Sequence, residues 1–392
     1  MRINRSSSAV SILRPVAFSA FALLFGGCTF MPTQAPVAPP VAAAPTRPDP
    51  SAPRLAALET QHFTLASGEQ ELIGETQVLF ARHENTFSAI GREYKLGYEE
   101  MRRANPGVDQ WLPGEGTPIY LPTATLLPDA PRQGIIINVP AMRLFYFTSE
   151  KSPTDPAVMQ LTVTSHPIGV GAGGWATPFG EAKVTQKARD PVWYVPASVR
   201  KEHADRGDPL SRIVPPGPDN PLGAFAMALS IPGYLIHGTN KPAGVGMRSS
   251  HGCIRLYPED IEELFGRVAK GTSVRMVNQP VLAGWQAGQL YLEVHPPLAE
   301  EQHDLVAEAN TALGRALERA GVAAAAGEID AAAVQKIVAE QRGIALPVLR
   351  SSRSLEQYLA AARIVENTVP VAPVEQTAQA RDAAADAAIA GR

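Results

Sequence analysis

Residues 236–256 read Ile-His-Gly-Thr-Asn-Lys-Pro-Ala-Gly-Val-Gly-Met-Arg-Ser-Ser-His-Gly-Cys-Ile-Arg-Leu. They gather two of the chain's eight histidines, one of its two cysteines and four glycines. A thiol is an effective nucleophile as its thiolate, and a nearby imidazole takes its proton or stabilises the anion. Cys253 is therefore the candidate nucleophile and His237 its general base and acid. If the two form a thiolate–imidazolium pair, Cys253 should alkylate with a pH midpoint well below the ~8.5 of free cysteine. Ser250 and Gly252 are small enough to leave room for a substrate backbone beside the sulfur, and the amides of Gly252 and Cys253 can face a developing oxyanion. His251 either orients His237 or holds the loop. The backbone of Gly238, next to His237, can fix the imidazole or touch substrate. Arg255 and Arg248 carry forks that suit a substrate carboxylate or, equally, a structural ion pair. His237, His251 and Cys253 are also possible metal ligands, but structural zinc sites show short-spaced ligand pairs twice over and only one such pair is present. No metal and no cofactor is expected.

These side chains need a rigid backing. The apolar run Tyr234-Leu235-Ile236 reads as a strand that delivers His237, and Ile254-Arg255-Leu256 carries the chain away from Cys253. The loop between them has the Gly/Ser/Asn composition of backbone that turns sharply. Upstream, Ile135 to Val139 and Arg143 to Phe147 are β-branched and aromatic runs separated by Pro140-Ala141, and Leu161 and Val163 alternate with threonines. The run Gly169, Gly171, Gly173, Gly174 lacks the Lys-Ser/Thr of a phosphate loop and no helical pattern follows it, so it reads as scaffold. Downstream, Pro258 starts a helix with Ile261, Leu264, Phe265 and Val268 on one face, and Ser273 to Val277 returns as a strand.

His237-Gly238-Thr239 followed by Ser250-His251-Gly252-Cys253-Ile254-Arg255 resembles the signature of the L,D-transpeptidases, the YkuD domain family. The resemblance covers residues 134–280, and more weakly most of 60–297. It implies a two-step acyl transfer in which Cys253 attacks the tetrapeptide stem of peptidoglycan after its diaminopimelate-like residue, with His237 as acid–base partner and D-alanine as leaving group. An amine then resolves the thioester: a neighbouring stem peptide, giving a 3-3 cross-link, or a lysine of an outer-membrane lipoprotein. Water as acceptor would make the chain a hydrolase. Trp193, the Pro-rich stretch 214–221 and Gly223 resemble the periplasmic lipoprotein-attaching branch, in which the insertion 190–221 walls or covers the groove.

The rest of the chain reads as delivery and support. Net charge is −3, from 35 basic and 38 acidic residues, and no nucleic-acid partner is expected. Residues 1–28 have the basic and short apolar regions of an export signal and end in Phe25-Gly26-Gly27-Cys28, which resembles a lipobox with Cys28 lipidated; Thr29 after it favours the outer membrane of a Gram-negative-type bacterium. Residues 29–59 form a Pro/Ala-rich linker. Residues 60–123 predict a βααβ module: a strand around Val78, a helix capped at Asn85-Thr86 and bearing Phe87, Ile90 and Tyr94, a second helix ending at Asn105-Pro106-Gly107, and a strand over Thr117 to Pro122. Its order and its Asn-Pro-Gly and Ile-Tyr-Leu-Pro runs resemble a LysM module, which implies binding of peptidoglycan glycan. As a separate localisation module, it should be removable without loss of turnover on a soluble tetrapeptide. Residues 281–297 hold a short β segment. Residues 298–368 form a helical extension, with Leu305, Ala309, Leu313 and Leu317 at helical spacing and Ser354-Leu355-Glu356-Gln357 as a capping box. Residues 369–392 read as disordered. The expected class is multidomain α+β: the βααβ module, a β-rich catalytic domain with a mixed sheet and one packed helix, and the helical extension.

Overall fold

The structure is a computed structural model and describes residues 48–370 apart from positions 68, 153 and 156. Cys28, the export signal, most of the linker and the tail from 371 lie outside the described residues. Nine strands form a mixed sheet in the order His62–Thr64, Met159–Pro167, Arg143–Lys151, Gly134–Asn138, Ser273–Val277, Gly180–Arg189, Phe225–Leu229, Leu235–His237, Ile254–Arg255. Two pairings are parallel, Gly134–Asn138 with Ser273–Val277 and Leu235–His237 with Ile254–Arg255, and the other six are antiparallel. The first parallel pair lies at the centre, where Ile135, Ile136 and Ile137 are fully buried. A run buried on both faces explains why its sequence is continuously apolar rather than alternating.

The helix at Pro258–Arg267 covers one face of this sheet. Pro258 stands in its first turn, and Ile261 and Leu264 enter the core with Ile236, Ile254, Met227 and Met276. Phe265 stacks on Phe225 with ring centroids 5.0 Å apart.

The βααβ order is present. Gln77–Phe80 pairs antiparallel with Pro118–Leu121, and between them run α1 (Phe87–Glu93) and α2 (Tyr98–Ala104). The Thr86 hydroxyl caps α1 by accepting from the Ala89 amide, and Asn105 closes α2 by donating to the Met101 carbonyl. The unit is not separable, however. Its neighbouring strand His62–Thr64 belongs to the main sheet, and a buried ion pair joins Glu100 of α2 to Arg143 of the sheet at 2.8 Å. Lys95 reaches Asp260 at 2.8 Å, and Tyr257 donates to the Leu96 carbonyl. These contacts speak against a removable module: the strand at its start belongs to the catalytic sheet, and its interior is bonded to that sheet and to the helix at Pro258–Arg267.

The insertion supplies α3 (Ala197–Asp205), and α4 is Pro258–Arg267. Beyond the sheet, Val281–Gln286 and Gln289–Val294 form a hairpin, and α5 (Leu305–Arg319) and α6 (Ala331–Glu340) pack on it around Leu290, Leu292, Leu313 and Ile337. The residues from 298 are not helical throughout: Leu346–Pro347 adds to the hairpin, α7 (Leu355–Ala360) follows, and Arg363–Ile364 adds parallel to Gln77–Phe80. The end of the linker is docked as well, since Leu55 bridges Val365 and its amide donates to the Ile364 carbonyl. Among the described residues no helix is long and apolar enough to cross a membrane.

Candidate active site

The parallel register pairs Ile236 with Ile254 and His237 with Arg255. Successive residues of a strand point to opposite faces. Ile236 and Ile254 therefore enter the core, while His237 and, just before the second strand, Cys253 face the other way. Both line a cavity of about 1030 Å³ that the insertion also lines, with Trp193, Tyr194 and Val199 among its residues.

His237 is only 4% exposed, and its Nδ1 lies 2.7 Å from the Gly238 carbonyl oxygen. A carbonyl only accepts, so Nδ1 carries the proton and Nε2 is left as the acceptor. The Gly238 carbonyl thus acts on the imidazole. Burial, and then the charge of Arg255, lower His237 to about 3, against the weaker pull of the Gly238 and Leu222 carbonyls. Cys253 is half-buried, with Sγ 3.6 Å from the Gly233 carbonyl. Burial pushes this thiol up, opposed by the Leu235 amide and the Arg255 charge. Desolvation penalises both charged forms and so favours neutral thiol with neutral imidazole, against the expected thiolate–imidazolium pair.

The loop is held by hydroxyls. Ser250 Oγ donates to the Cys253 carbonyl at 2.6 Å and accepts the Gly252 amide at 3.2 Å. Thr177 Oγ1 accepts the Gly171 amide and donates to the Gly252 carbonyl, both at 3.0 Å, tying the Gly-rich stretch to the nucleophile. The Gly252 amide is thus engaged with Ser250 rather than free for an oxyanion. Gly252 has φ +98°, and a Cβ there would lie 2.8 Å from the Tyr234 ring, so no other residue fits.

The two arginines separate. Arg255 lines the cavity, donates to Ser249 Oγ at 3.4 Å, and has a buried Nε with no hydrogen-bond partner. Arg248 is not among the cavity's lining residues: its fork holds Glu300 at 2.6 and 3.0 Å and its Nε donates to the Gly171 carbonyl. Its fork is thus engaged in an ion pair. His251 lines the cavity, but its Nε2 meets Glu202 Oε2 of α3 at 2.8 Å, and its ring stands edge-on to Trp175 at 4.9 Å. It does not orient His237, whose Nδ1 is already on Gly238. Glu202 and Trp175 were missed in the sequence; the helix-forming run after Pro196 was the available signal for α3. Among the described residues no three His, Cys, Asp or Glu side chains gather as metal ligands.

A thiol, an imidazole and a guanidinium with an unpaired Nε line one cavity, the set of groups that nucleophilic cysteine chemistry uses. The family model described as the L,D-transpeptidase catalytic domain matches residues 132–276. The chain is 38% identical over 248 residues to "Probable L,D-transpeptidase YcfS" of Escherichia coli (strain K12), covering 62% of this chain and 75% of that protein. It is 39% identical over 241 residues to "Probable L,D-transpeptidase YbiS" of the same strain, covering 60% and 76%. With "Probable L,D-transpeptidase ErfK/SrfK" of Salmonella typhimurium it shares 37% over 255 residues, 62% and 79% of the two chains. The chain belongs to the L,D-transpeptidase family.

Proposed function

We propose that the chain transfers the acyl group of a peptidoglycan tetrapeptide stem, through a thioester on Cys253, to an amine. The amine is that of a second stem, making a 3-3 cross-link, or of an outer-membrane lipoprotein. The observation that supports this most directly is the placement of Cys253, His237 and Arg255 together in the lining of one cavity. The mechanism starts from neutral partners. Nε2 of His237 takes the thiol proton as sulfur attacks the peptide carbonyl; the C–N bond then breaks and the same proton leaves with D-alanine. The Cys253 amide serves as the backbone donor for the oxyanion, the Gly252 amide being engaged. Arg255 suits a donor carboxylate, because its buried Nε lacks a partner. The βααβ unit is read as a LysM-like glycan-binding surface, and the site of action as the periplasm, with a lipid anchor at Cys28.

The test is incubation of the full chain with a stem tetrapeptide, measuring released D-alanine and the mass of the acyl-enzyme. Wild type should release D-alanine and gain the acyl mass; Cys253→Ala should do neither. No release from wild type, or equal release from the variant, overturns the reading.

A further inference from the structure

The second half-reaction poses a proton problem that the Cys253–His237 pair does not solve alone. An alkylamine with a pKa near 10.4 arrives as its ammonium and has no lone pair until a proton leaves. A second proton must then reach the departing sulfur. His237 has one available nitrogen, Nε2, because Nδ1 is held by the Gly238 carbonyl at 2.7 Å. That nitrogen is the one needed to return a proton to sulfur.

A second imidazole lines the same cavity two residues from the nucleophile. His251 has a side chain 29% exposed, with Nε2 at 2.8 Å from Glu202 Oε2. A carboxylate only accepts, so Nε2 carries the hydrogen and Nδ1 is the lone-pair nitrogen. The ring is bracketed by Trp175, edge-on at 4.9 Å, and by His203 of α3 at 6.2 Å, itself paired through Nδ1 with Asp208 at 3.2 Å. Glu202 also holds Arg206 at 2.6 Å, one turn along the helix. An imidazole held by a carboxylate is the arrangement of a general base, in which the acid orients the ring and stabilises the imidazolium.

We infer that His251, oriented by Glu202, takes the proton from the acceptor ammonium, so that the insertion carrying α3 completes the site for the second step. The inference rests on the thioester reading above. The ammonium gives one proton to Nδ1 of His251, and the freed amine attacks the thioester carbonyl, forming a C–N bond. The nitrogen's next proton passes to Nε2 of His237. The C–S bond breaks, and His237 delivers that proton to sulfur, restoring the thiol. His251 then returns its proton to solvent. Here His251 touches substrate and Glu202 is a positioning residue.

The experiment loads the full chain with a stem tetrapeptide, confirms the acyl-enzyme by intact mass, and measures its discharge at pH 7 by two acceptors. Nα-acetyl-lysine is an ammonium at that pH; hydroxylamine is neutral and needs no prior deprotonation. His251→Gln should acylate normally, lose about 10²-fold or more in discharge by Nα-acetyl-lysine, and keep discharge by hydroxylamine. Glu202→Ala should show the same pattern with a smaller loss. Equal losses with both acceptors would assign the pair to loop structure and overturn the inference. Unchanged discharge by the lysine derivative, or failure of His251→Gln to acylate, also overturns it. A wild-type chain that never forms the acyl-enzyme removes the thioester reading itself, which the mass measurement shows separately.

Discussion

Cys253 and His237 are pushed in opposite directions by the same desolvation, the thiol upward and the imidazole down to about 3, and Arg255 then acts on both through its charge. That charge favours the thiolate but opposes the imidazolium. A donor carboxylate paired with Arg255 would cancel it and make His237 a better base as substrate arrives. The sign for the resting chain follows: a raised thiol pKa means less thiolate at neutral pH. Alkylation of Cys253 should therefore have a pH midpoint above the ~8.5 of a free thiol, read by intact mass across a pH series. His237→Ala should not raise it further, because no imidazolium is lost. A midpoint below that of free cysteine would restore the ion pair. The residue types and their spacing were legible in the sequence, since Cys253, His237 and Gly252 sit in one uninterrupted motif. Their protonation was not, because burial on that face depends on residues from distant parts of the chain, the insertion's Trp193 and Tyr194 among them, which local spacing does not reveal.

At the scale of elements, the catalytic loop leans on α2. The amides of Tyr98 and Glu99, at the start of that helix, donate to the carbonyls of Val245 and Gly246 at 3.2 and 3.1 Å. Glu100 stabilises the same helix end by accepting the Gly97 amide, and its other oxygen holds Arg143. Backbones meet at Gly97, where a Cβ would fall 2.7 Å from the Cα of Gly246. Gly97 has φ −84°, so alanine is acceptable to its own backbone and only the space is refused. Gly97→Ala should therefore shift the loop that carries Cys253, cutting kcat/KM on a soluble tetrapeptide by about 10- to 100-fold, while far-UV circular dichroism stays that of wild type. Unchanged kinetics would show that the seam does not position the loop. The helices themselves were readable, from the Asn85-Thr86 cap and the Asn105-Pro106-Gly107 stop. The seam was not: Gly246 reads as one more loop glycine, and its partner lies far away in the chain.

Over the whole of the described residues, the last strand closes onto the first segments. Arg363–Ile364 adds a parallel strand to Gln77–Phe80, Leu55 bridges Val365, and Tyr94 donates to the Glu366 carbonyl at 2.6 Å. Val365 and Val369 are buried in one cluster with Phe87, Ile90 and Leu96. The separate modules suggested by composition shifts are therefore stitched into one another, because pairing between distant strands leaves no local signature beyond a short β-branched run. Such a unit should unfold in one step. Val365→Ala removes buried methyl groups from the βααβ core and should cost about 2 kcal/mol. The measurement is denaturant unfolding followed by tryptophan fluorescence and, in parallel, by the reactivity of the Cys253 thiol. A stitched chain loses both signals together, and the substitution moves both midpoints down by the same amount. If thiol exposure kept its wild-type midpoint while fluorescence shifted, the βααβ unit would be folding independently of the catalytic sheet.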